Sequence, residues 1–317
     1  VETGTKKGPG ILITGHDLLD LYELLKQTEG TGVNVYTHSE MLPAHGYPEL
    51  KKFKHLVGNY GGAWQEEKKE FKEFPGAILA TTNCVLIPPE NTYLDRLFTI
   101  GITGVPGSRR IKDRKDFSEL IKKAKSLPGL PEAPGKKIIT GFHHTAVLGL
   151  ADKVIGAVKS GKIKHFFLIG GCDGAKAGRN YYTEFAELVP KDCVILTLAC
   201  GKYRFNKLDF GNIDGITRLI DVGQCNNAYS AIKIAEALAG AFKTDVNGLP
   251  LTMVLSWFEQ KAVAILLSLL YLNIKGMYIG PTPPAFLTKN VFGVLQEKFD
   301  LRLVTNPKDD LAKTLKK

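Results

Sequence analysis

Residues 10–27, GILITGHDLLDLYELLKQ, contain the pattern from which the fold class can be predicted. It opens with a short apolar run typical of a buried strand, continues through a turn and ends in an amphipathic helix. The same unit returns in the second half of the chain, for example in KHFFLIGGCDG before YYTEFAELV and in CVILTLACG before NAYSAIKIAEALAGAF. Because strands alternate with helices, the sequence predicts an α/β fold with parallel sheets covered on both faces.

A segment rich in Pro, Gly and Lys, SLPGLPEAPGKK at residues 126–137, interrupts this pattern. Such a composition is typical of a linker. We therefore expect two Rossmann-like α/β domains, the first at residues 8–128 and the second at residues 134–317.

Composition and charge indicate which binding partners and which cellular location to expect. Of the 317 residues 44% are hydrophobic, and no uncharged apolar run reaches the length of about eighteen residues that a membrane span needs. The N-terminus has no apolar signal-peptide core, so we expect a cytoplasmic protein. The formal charge is +10, but the lysines are dispersed among acidic residues, with neither zinc-finger spacing nor an RNA-binding aromatic signature. We expect no nucleic-acid or membrane partner, whereas a small acidic redox protein is compatible with the charge.

Residues able to bind metal stand at the ends of the predicted strands, where open α/β sheets bind their ligands. They are His16, Glu40, Cys84, Cys172, Cys200, Cys225 and Glu259. Taken singly, each has a plain interpretation: a lone Cys after a strand is often a small core residue, His16 is compatible with a helix cap, and Glu40 is compatible with an exposed turn carboxylate. Taken together, thiolates favour iron–sulfur chemistry, while imidazole and carboxylate favour a harder iron, so the set indicates a cluster with both sulfide and oxygen. Structural zinc is the main alternative, but the chain contains no CxxC pair.

Three other features receive plainer interpretations. Cys193 begins its strand and lies at the opposite end from Cys200, so we expect an ordinary buried thiol. GGCDGAKAGR resembles a phosphate loop but matches neither glycine-rich nucleotide motif. The adjacent residues His143 and His144 stand where a helix begins, and we expect them to belong to that helix start.

The chain from Gly10 onward resembles the hybrid cluster protein family, also called prismane proteins or hydroxylamine reductases. The resemblance rests on long strings, among them GVNVYTHSEMLPAHGYPELKKF, HFFLIGGCDGAKAGRNYYTEFAE, DVGQCNNAYSAIKIAEAL and LSWFEQKAVAILL. The chain is also similar, more distantly, to the metal-bearing domains of nickel–iron carbon monoxide dehydrogenases.

The resemblance implies a hybrid iron–sulfur–oxygen cluster of the 4Fe-2O-2S type, placed at the carboxyl ends of the strands between the two domains. The first domain would supply His16, Glu40 and Cys84, and the second would supply Cys172, Cys200, Cys225, Glu259 and Lys261. It further implies a persulfide on Cys172. Lys261 would lie beside the cluster as a proton donor, with catalytic roles also for Glu259 and His16.

The family also has an N-terminal helical domain with a second, cubane cluster. Only about nine residues precede the first predicted strand here, so we expect that this chain lacks that domain and its cluster. The loss would affect electron delivery from the donor protein.

The resemblance implies an oxidoreductase that reduces hydroxylamine to ammonia and nitric oxide to nitrous oxide in nitrosative-stress defence. One alternative is a non-catalytic cluster-binding module, or a protein that binds nitric oxide and passes a nitrosyl group to partner thiols. A nickel site like that of carbon monoxide dehydrogenase is a further alternative, which the His and Glu candidates disfavour. The sequence leaves open whether the chain forms a homo-oligomer.

Overall fold

The computed structural model describes residues 1–82, 84–173, 179–256 and 260–316 of the chain. Backbone contacts divide the chain into two compact units, Val1–Gly141 and Phe142–Lys317. Over the residues that the structure describes, each unit contains one six-stranded sheet, and every pair of neighbouring strands in these two sheets runs parallel. The prediction of an α/β fold with two parallel sheets is confirmed.

The first sheet consists of short strands. In chain order they are Gly10–Thr14 (β1), Asn34–Thr37 (β2), Leu56–Asn59 (β3), Ala77–Ala80 (β4), Leu97–Thr99 (β5) and Arg109–Arg110 (β6). Their spatial order is β3-β2-β1-β4-β5-β6, the order of dinucleotide-binding Rossmann sheets. The direction of chain progression reverses between β1 and β4, and this switch point is where such sheets bind ligands.

Helices cover both faces of the first sheet. They are Leu18–Thr28 (α1), Pro48–Lys51 (α2), Glu67–Glu73 (α3) and Ser118–Ser126 (α4). Side chains alternate between the faces of β1: Ile11 and Ile13 belong to the same apolar cluster as residues of α1 and α4, whereas Leu12 lies with Phe71 of α3. Each such buried aliphatic side chain contributes roughly 1.5–3 kcal/mol, so this double layer holds the carboxyl ends of the strands in place.

The segment at residues 126–137, which composition marks as a linker, lies within the first unit. It follows α4 and forms antiparallel bridges with the N-terminal residues: Gly8 with Leu130, Thr5 with Ala133 and Glu2 with Lys137. The backbone N–H of Thr5 donates to Ala133 O at 2.9 Å, so these prolines and glycines form an ordered edge of the unit.

The second unit repeats the same order. Its strands in chain order are His165–Gly171 (β7), Cys193–Leu198 (β8), Asn212–Ile213 (β9), Ile216–Thr217 (β10), Leu219–Gly223 (β11), Leu251–Ser256 (β12), Tyr278–Gly280 (β13) and Arg302–Leu303 (β14). β9 and β10 form a separate antiparallel pair. The large sheet has the order β11-β8-β7-β12-β13-β14, so its switch point lies between β7 and β12.

Helices again cover both faces of this second large sheet. They are His144–Leu148 (α5), Ala151–Lys159 (α6), Tyr181–Leu188 (α7), Ala228–Phe242 (α8), Gln260–Tyr271 (α9), Lys289–Phe299 (α10) and Pro307–Leu315 (α11). Leu168 of β7 lies in a cluster with residues of α8 and α9, whereas its neighbour Ile169 lies with Phe185 of α7. No helix in the described ranges is long and apolar enough to span a bilayer.

Candidate metal centre

The candidate ligands of the first unit follow β1, β2 and β4, at the carboxyl edge of the sheet. His16 comes two residues after β1, and Cys84 follows β4, so these two flank the switch point. Glu40 follows the neighbouring strand β2. In the second unit Cys172 follows β7 directly, and Cys200 and Cys225 follow β8 and β11.

His16 is buried and held in one orientation by the strand that pairs with β1. Its Nδ1 lies 2.7 Å from Thr82 Oγ1, in a hydrogen bond that joins the ends of β1 and β4. Its Nε2 lies 3.7 Å from Glu40 Oε2, which is longer than a hydrogen bond. Metal-binding histidines characteristically bond one ring nitrogen to a second residue and direct the other to the metal. The geometry of His16 matches that arrangement, with Nε2 facing the carboxylate of Glu40.

Glu40 is brought to the same edge by a sharp change of backbone direction after β2. Ser39 has a φ of 51°, which is uncommon for a residue with a side chain, and it opens the 3₁₀ helix Ser39–Gly46. Just before it, the buried His38 bonds Glu70 Oε2 through Nε2 at 2.8 Å and Thr14 Oγ1 through Nδ1 at 3.2 Å. These contacts anchor the turn, so Glu40 lies buried beside His16.

Cys84 lies in an irregular segment that the apolar sequence GAILATTNCVLIP predicts as strand. The strand ends at Ala80, and Cys84 itself has a φ of 66°. Downstream, the N–H of Leu86 donates to the buried carboxyl of Glu67 at 2.8 Å rather than to a neighbouring strand. Burial raises the pKa of Glu67 well above its ordinary value. The strained backbone at Cys84 is of the kind that concentrates at functional sites.

Cys172 follows a glycine that no other residue can replace without strain. Gly171 has a φ of 119°, and an added Cβ would come within 2.6 Å of Ser256 Oγ. That same hydroxyl accepts a hydrogen bond from the N–H of Asp173 at 2.9 Å. The bond ties the ends of β7 and β12 together across the switch point and fixes the backbone on both sides of the Cys172 thiol.

The side chain of Asp173 stabilises the turn at Cys172 through two ion pairs. It is fully buried and contacts two guanidinium groups, Arg204 at 2.8 Å and Arg179 at 3.2 Å. Two cations around one carboxylate satisfy a charge that is costly to bury alone. Asp173 therefore links Cys172 to the 3₁₀ helix Cys200–Arg204, which begins with another candidate ligand.

Cys200 and Cys225 are both buried and both begin 3₁₀ helices. Ala199, directly before Cys200, has a φ of 63°, and Gly223, two residues before Cys225, has a φ of 136°. A residue with φ in the left-handed region stands one or two positions before each of five candidate ligands: His16, Glu40, Cys172, Cys200 and Cys225. Cys84 itself has φ in that region. These turns carry each ligand away from its strand and out over the carboxyl edge of the sheet.

An apolar cavity of about 60 Å³ lies beneath the thiols of the second unit. Cys172 and Cys225 line it at the level of the strand ends, and Met253, Leu266 and Ile279 are among its apolar walls. A cavity of this size and character suits a small uncharged molecule rather than an ion.

The remaining predicted residues fall in different places. Glu259 lies outside the described residues. Lys261 is the second residue of α9, immediately beyond that segment, and its side chain is half-buried. The prediction for His143 and His144 is confirmed: His143 caps α5 through its ring nitrogen, and His144 begins the helix.

Cys193 is an ordinary core thiol, as predicted. It begins β8 at the amino edge and is buried. Burial, reinforced by the neighbouring Asp192, raises the pKa of the Cys193 thiol to about 12, so this thiol stays protonated. Among the described residues none of the five cysteines forms a disulfide.

The residues that position the candidate ligands were not predicted from the sequence. Thr82, His38 and Asp173 each stand next to or near a candidate ligand in sequence, and that adjacency is the only signal a single sequence offers. Lys202, two residues after Cys200, offers the same signal, whereas Arg204 stands four residues after Cys200 and contacts Asp173 at the end of another strand.

Comparison with known proteins agrees with this architecture. The model of the Prismane/CO dehydrogenase family matches residues 1–312. Relatives named hydroxylamine reductase include one from Moorella thermoacetica, 70% identical over 99% of this chain and 73% of its own length, and one from Geobacter metallireducens, 64% identical over 99% of this chain and 57% of its own length. The chain belongs to the Prismane/CO dehydrogenase family, and the predicted resemblance is confirmed.

The name that these relatives carry, hydroxylamine reductase, is that of an oxidoreductase. The chain spans about three fifths of the length of most of these relatives. Among solved structures, carbon monoxide dehydrogenase IV from Carboxydothermus hydrogenoformans matches with a TM-score of 0.78 at 14% identity, over 100% of this chain and 61% of that one. A nickel-free carbon monoxide dehydrogenase from Thermococcus sp. AM4 matches with a TM-score of 0.75 at 18% identity, over 98% of this chain and 57% of that one. These likenesses concern the fold alone.

Proposed function

We propose that the chain binds a hybrid iron–sulfur–oxygen cluster and reduces small nitrogen oxides, with hydroxylamine as the principal substrate. The observation that carries the proposal is the pairing of His16 with Glu40: both are buried, and Thr82 turns the imidazole so that Nε2 faces the carboxylate. A buried imidazole and a buried carboxylate that face each other at the carboxyl edge of a sheet are suited to bind a metal.

The donor set fits a cluster with mixed bridges. Four thiols, one imidazole and two carboxylates would serve as ligands: His16, Glu40, Cys84, Cys172, Cys200, Cys225 and Glu259. Thiolates bind sulfide-bridged iron, whereas nitrogen and oxygen ligands suit iron with oxygen bridges. A persulfide on Cys172 and the 4Fe-2O-2S composition are part of the proposal, by resemblance to the family. When bound, such a cluster supplies electrons and a Lewis acid to the substrate.

Hydroxylamine reduction consumes two electrons and two protons, breaks the N–O bond and releases ammonia and water. The protein must therefore deliver protons to the departing oxygen. Lys261 is suited to this task, because its side chain is half-buried at the beginning of α9 and adjoins the segment with Glu259. A positioned lysine ammonium can act as a general acid. His16 and Glu259 also have catalytic roles in this proposal. Both would bind the cluster, and both contribute to the charge at the site.

Nitric oxide reduction to nitrous oxide is a second reaction of the same site. It couples two molecules of nitric oxide and consumes two electrons and two protons, with loss of one oxygen as water. The cavity of about 60 Å³ beside Cys172 and Cys225 supports it, since apolar walls favour a small uncharged gas. This activity suggests a role in nitrosative-stress defence.

The electrons come from a small acidic redox protein in the cytoplasm. The formal charge of +10 supports this partner, because opposite charges steer association. No second cluster is proposed for this chain, since Cys193 is the only cysteine outside the ligand set.

The test begins with anaerobically purified chain. Iron, acid-labile sulfide, nickel and zinc are measured per chain, and the electron paramagnetic resonance (EPR) spectrum is recorded on the same sample. The chain is then supplied with an artificial reductant and hydroxylamine, and ammonia is followed over many turnovers. The expected result is about four irons with fewer sulfides than irons, no nickel or zinc, and sustained ammonia formation.

Each contrary result points to a different conclusion. Iron without sustained turnover would favour the non-catalytic module, and transfer of a nitrosyl group to a partner thiol would identify the trans-nitrosylating alternative. Nickel would indicate a carbon monoxide dehydrogenase-like site. Zinc, or no metal at all, would refute the proposed function.

A further inference from the structure

Lys202 is a fully buried lysine in the second unit, two residues after Cys200. Lysine is almost never fully buried unless its charge is paired. Its ammonium donates to Asp221 Oδ1 at 2.6 Å and to the carbonyl of Gly223 at 2.8 Å. The cation therefore joins the 3₁₀ helix after β8 to the last residues of β11, the strand that leads to Cys225.

The contact falls at an irregularity in the sheet. β11 pairs with β8 through Asp221 opposite Thr197 and Gly223 opposite Leu198, so the register skips Val222. A bulge of this kind bends the strand and redirects the residues that follow. The ladder is interrupted there, and polar backbone groups need other partners.

Lys202 and Asp221 supply those partners. The N–H of Gly223 donates to Asp221 Oδ1 at 3.1 Å, while the carbonyl of Gly223 accepts from both the ammonium of Lys202 and the N–H of Ala199 at 3.0 Å. The backbone N–H and C=O of Gly223 therefore take part in these three hydrogen bonds. One of these contacts comes from the residue just before Cys200, and another from the residue two positions after it.

We infer that Lys202 is a positioning residue: its ion pair with Asp221 sets the Cys200 turn against the Cys225 turn so that both thiols reach one cluster. The inference rests on the proposed cluster site and deepens it. The ammonium contacts Asp221 and the carbonyl of Gly223, two residues before Cys225, while the backbone of Lys202 lies two residues after Cys200, so Lys202 acts through the two cysteines and not on substrate.

Stability alone is a weak reason for such a pair. Two charges removed from water lose nearly as much hydration energy as their attraction returns, and apolar replacements of similar volume are often as stable. Lys202 instead fixes the relative position of two segments. Its long side chain carries several hydrogen-bond donors and can connect both sides of the bulge, whereas an apolar side chain would only fill the space.

The test compares the unsubstituted chain with three variants. Lys202→Met removes the cation and leaves Asp221 buried without it. Lys202→Met/Asp221→Asn is neutral and keeps an acceptor for the N–H of Gly223, so it folds even where the single variant does not. Arg218→Met is the matched control, because Arg218 is also a buried cation of this sheet but donates to Cys193 O at 2.9 Å, at the amino end of β11.

The first measurement is made on the metal-free chain. Alkylation of each thiol by a small reagent is followed by mass spectrometry, with Cys193 as the internal reference. The double variant is expected to alkylate Cys200 and Cys225 about tenfold faster relative to Cys193, because local opening of their turns becomes easier. Arg218→Met is expected to give the opposite pattern, with Cys193 accelerated. Unchanged rates at Cys200 and Cys225 in the double variant would overturn the inference.

The second measurement is made after loading with iron and sulfide. The double variant is expected to show an altered EPR spectrum or a lower iron content at unchanged melting temperature, whereas Arg218→Met keeps the spectrum despite lower stability. A normal spectrum and iron content in the double variant would also overturn the inference. Failure of the unsubstituted chain to bind iron counts against the proposed function alone, since the alkylation ratios still decide the role of Lys202.

Discussion

Thr82→Val tests whether the hydrogen bond to His16 prepares a metal ligand. Valine has the shape of threonine without the hydroxyl, so the substitution removes the 2.7 Å bond between Oγ1 and His16 Nδ1 and little else. The imidazole then loses the partner that directs Nε2 toward Glu40. Replacing such a partner typically weakens metal binding about 10–100-fold.

The effect on folding is predicted to be much smaller than the effect on metal. A hydrogen bond of this kind contributes about 0.5–1.5 kcal/mol to stability. That loss lowers the melting temperature by a few degrees, roughly 2–4 °C for each kcal/mol in a domain of this size. The prediction therefore separates two quantities that a general structural defect would change together.

The assay loads the purified chain with iron and sulfide anaerobically and measures how fast a chelator removes the iron. Thr81→Val serves as the control, because Thr81 Oγ1 donates to the carbonyl of Thr14 at 3.0 Å and stabilises the same strand pair without contacting the imidazole. Thr82→Val should release iron at least about tenfold faster than Thr81→Val. Equal release rates in the two variants, at equal melting temperatures, would refute the reasoning about His16.

Four further predictions follow from particular side chains. Glu67 has a folded-state pKa above its ordinary value of 4.5, so the folded state holds the proton more tightly, and stability falls as pH rises above that value. Glu67→Gln should therefore stabilise the chain at pH 8 by about 1.4 kcal/mol for each unit of difference between the folded-state and ordinary pKa of Glu67, with little gain at pH 4. Urea denaturation at both pH values measures the free energy of unfolding, and Glu73→Gln, on the exposed side of α3, is the control. Lys261→Met should slow ammonia formation by about 10²-fold or more while leaving the EPR spectrum unchanged, and retained turnover would exclude Lys261 as the proton donor. Gly171→Ala should destabilise the second unit by several kcal/mol, measured by thermal denaturation, because φ is 119° and Ser256 occupies the space of the new Cβ. Cys193→Ala should leave iron content and turnover unchanged, and loss of iron in that variant would place Cys193 among the ligands.

The alternation of strands and helices was predictable because its causes are local. The stretch from Gly10 to Gln27 forms β1 at Gly10–Thr14 and α1 at Leu18–Thr28, close to what its apolar run and helical periodicity indicate. The helix begins where it does because the carboxylate of Asp17 accepts from the N–H groups of Leu19 and Asp20.

Short edge strands and backbone strain were not predictable in the same way. Leu56–Asn59 contains glycine and asparagine, which disfavour strands, and it pairs with β2 because that edge is available in the fold. The apolar residues after Ala80 indicate a longer strand, yet the chain leaves the sheet there and Cys84 is left-handed. Sequence composition describes what a segment prefers, whereas these features depend on partners distant in the chain.

The candidate site shows the same division between local and distant causes. Position at the end of a strand identifies His16, Glu40 and the four cysteines, since the carboxyl edge of a parallel sheet collects whatever follows its strands. The residues that orient them are found only once the strand order is known: Thr82 reaches His16 because β4 pairs with β1, and Lys202 reaches Gly223 because β11 pairs with β8.

Backbone strain at the strand ends connects the fold to the proposed chemistry. Left-handed residues with side chains cost free energy, about 1–3 kcal/mol each in sparsely populated regions, and persist only where surrounding contacts compel them. Ser39, Cys84 and Ala199 are three such positions, and each is a candidate ligand or immediately precedes one. Without a left-handed residue, the chain at the ligand would continue in the direction of its strand. The left-handed residue turns the chain, so the ligand lies across the carboxyl edge of the sheet. Contacts that hold these turns include His38 with Glu70, next to the Glu40 turn, and Lys202 with Asp221, the pair that Lys202→Met/Asp221→Asn removes. Removing them should therefore alter the metal site before it unfolds the protein.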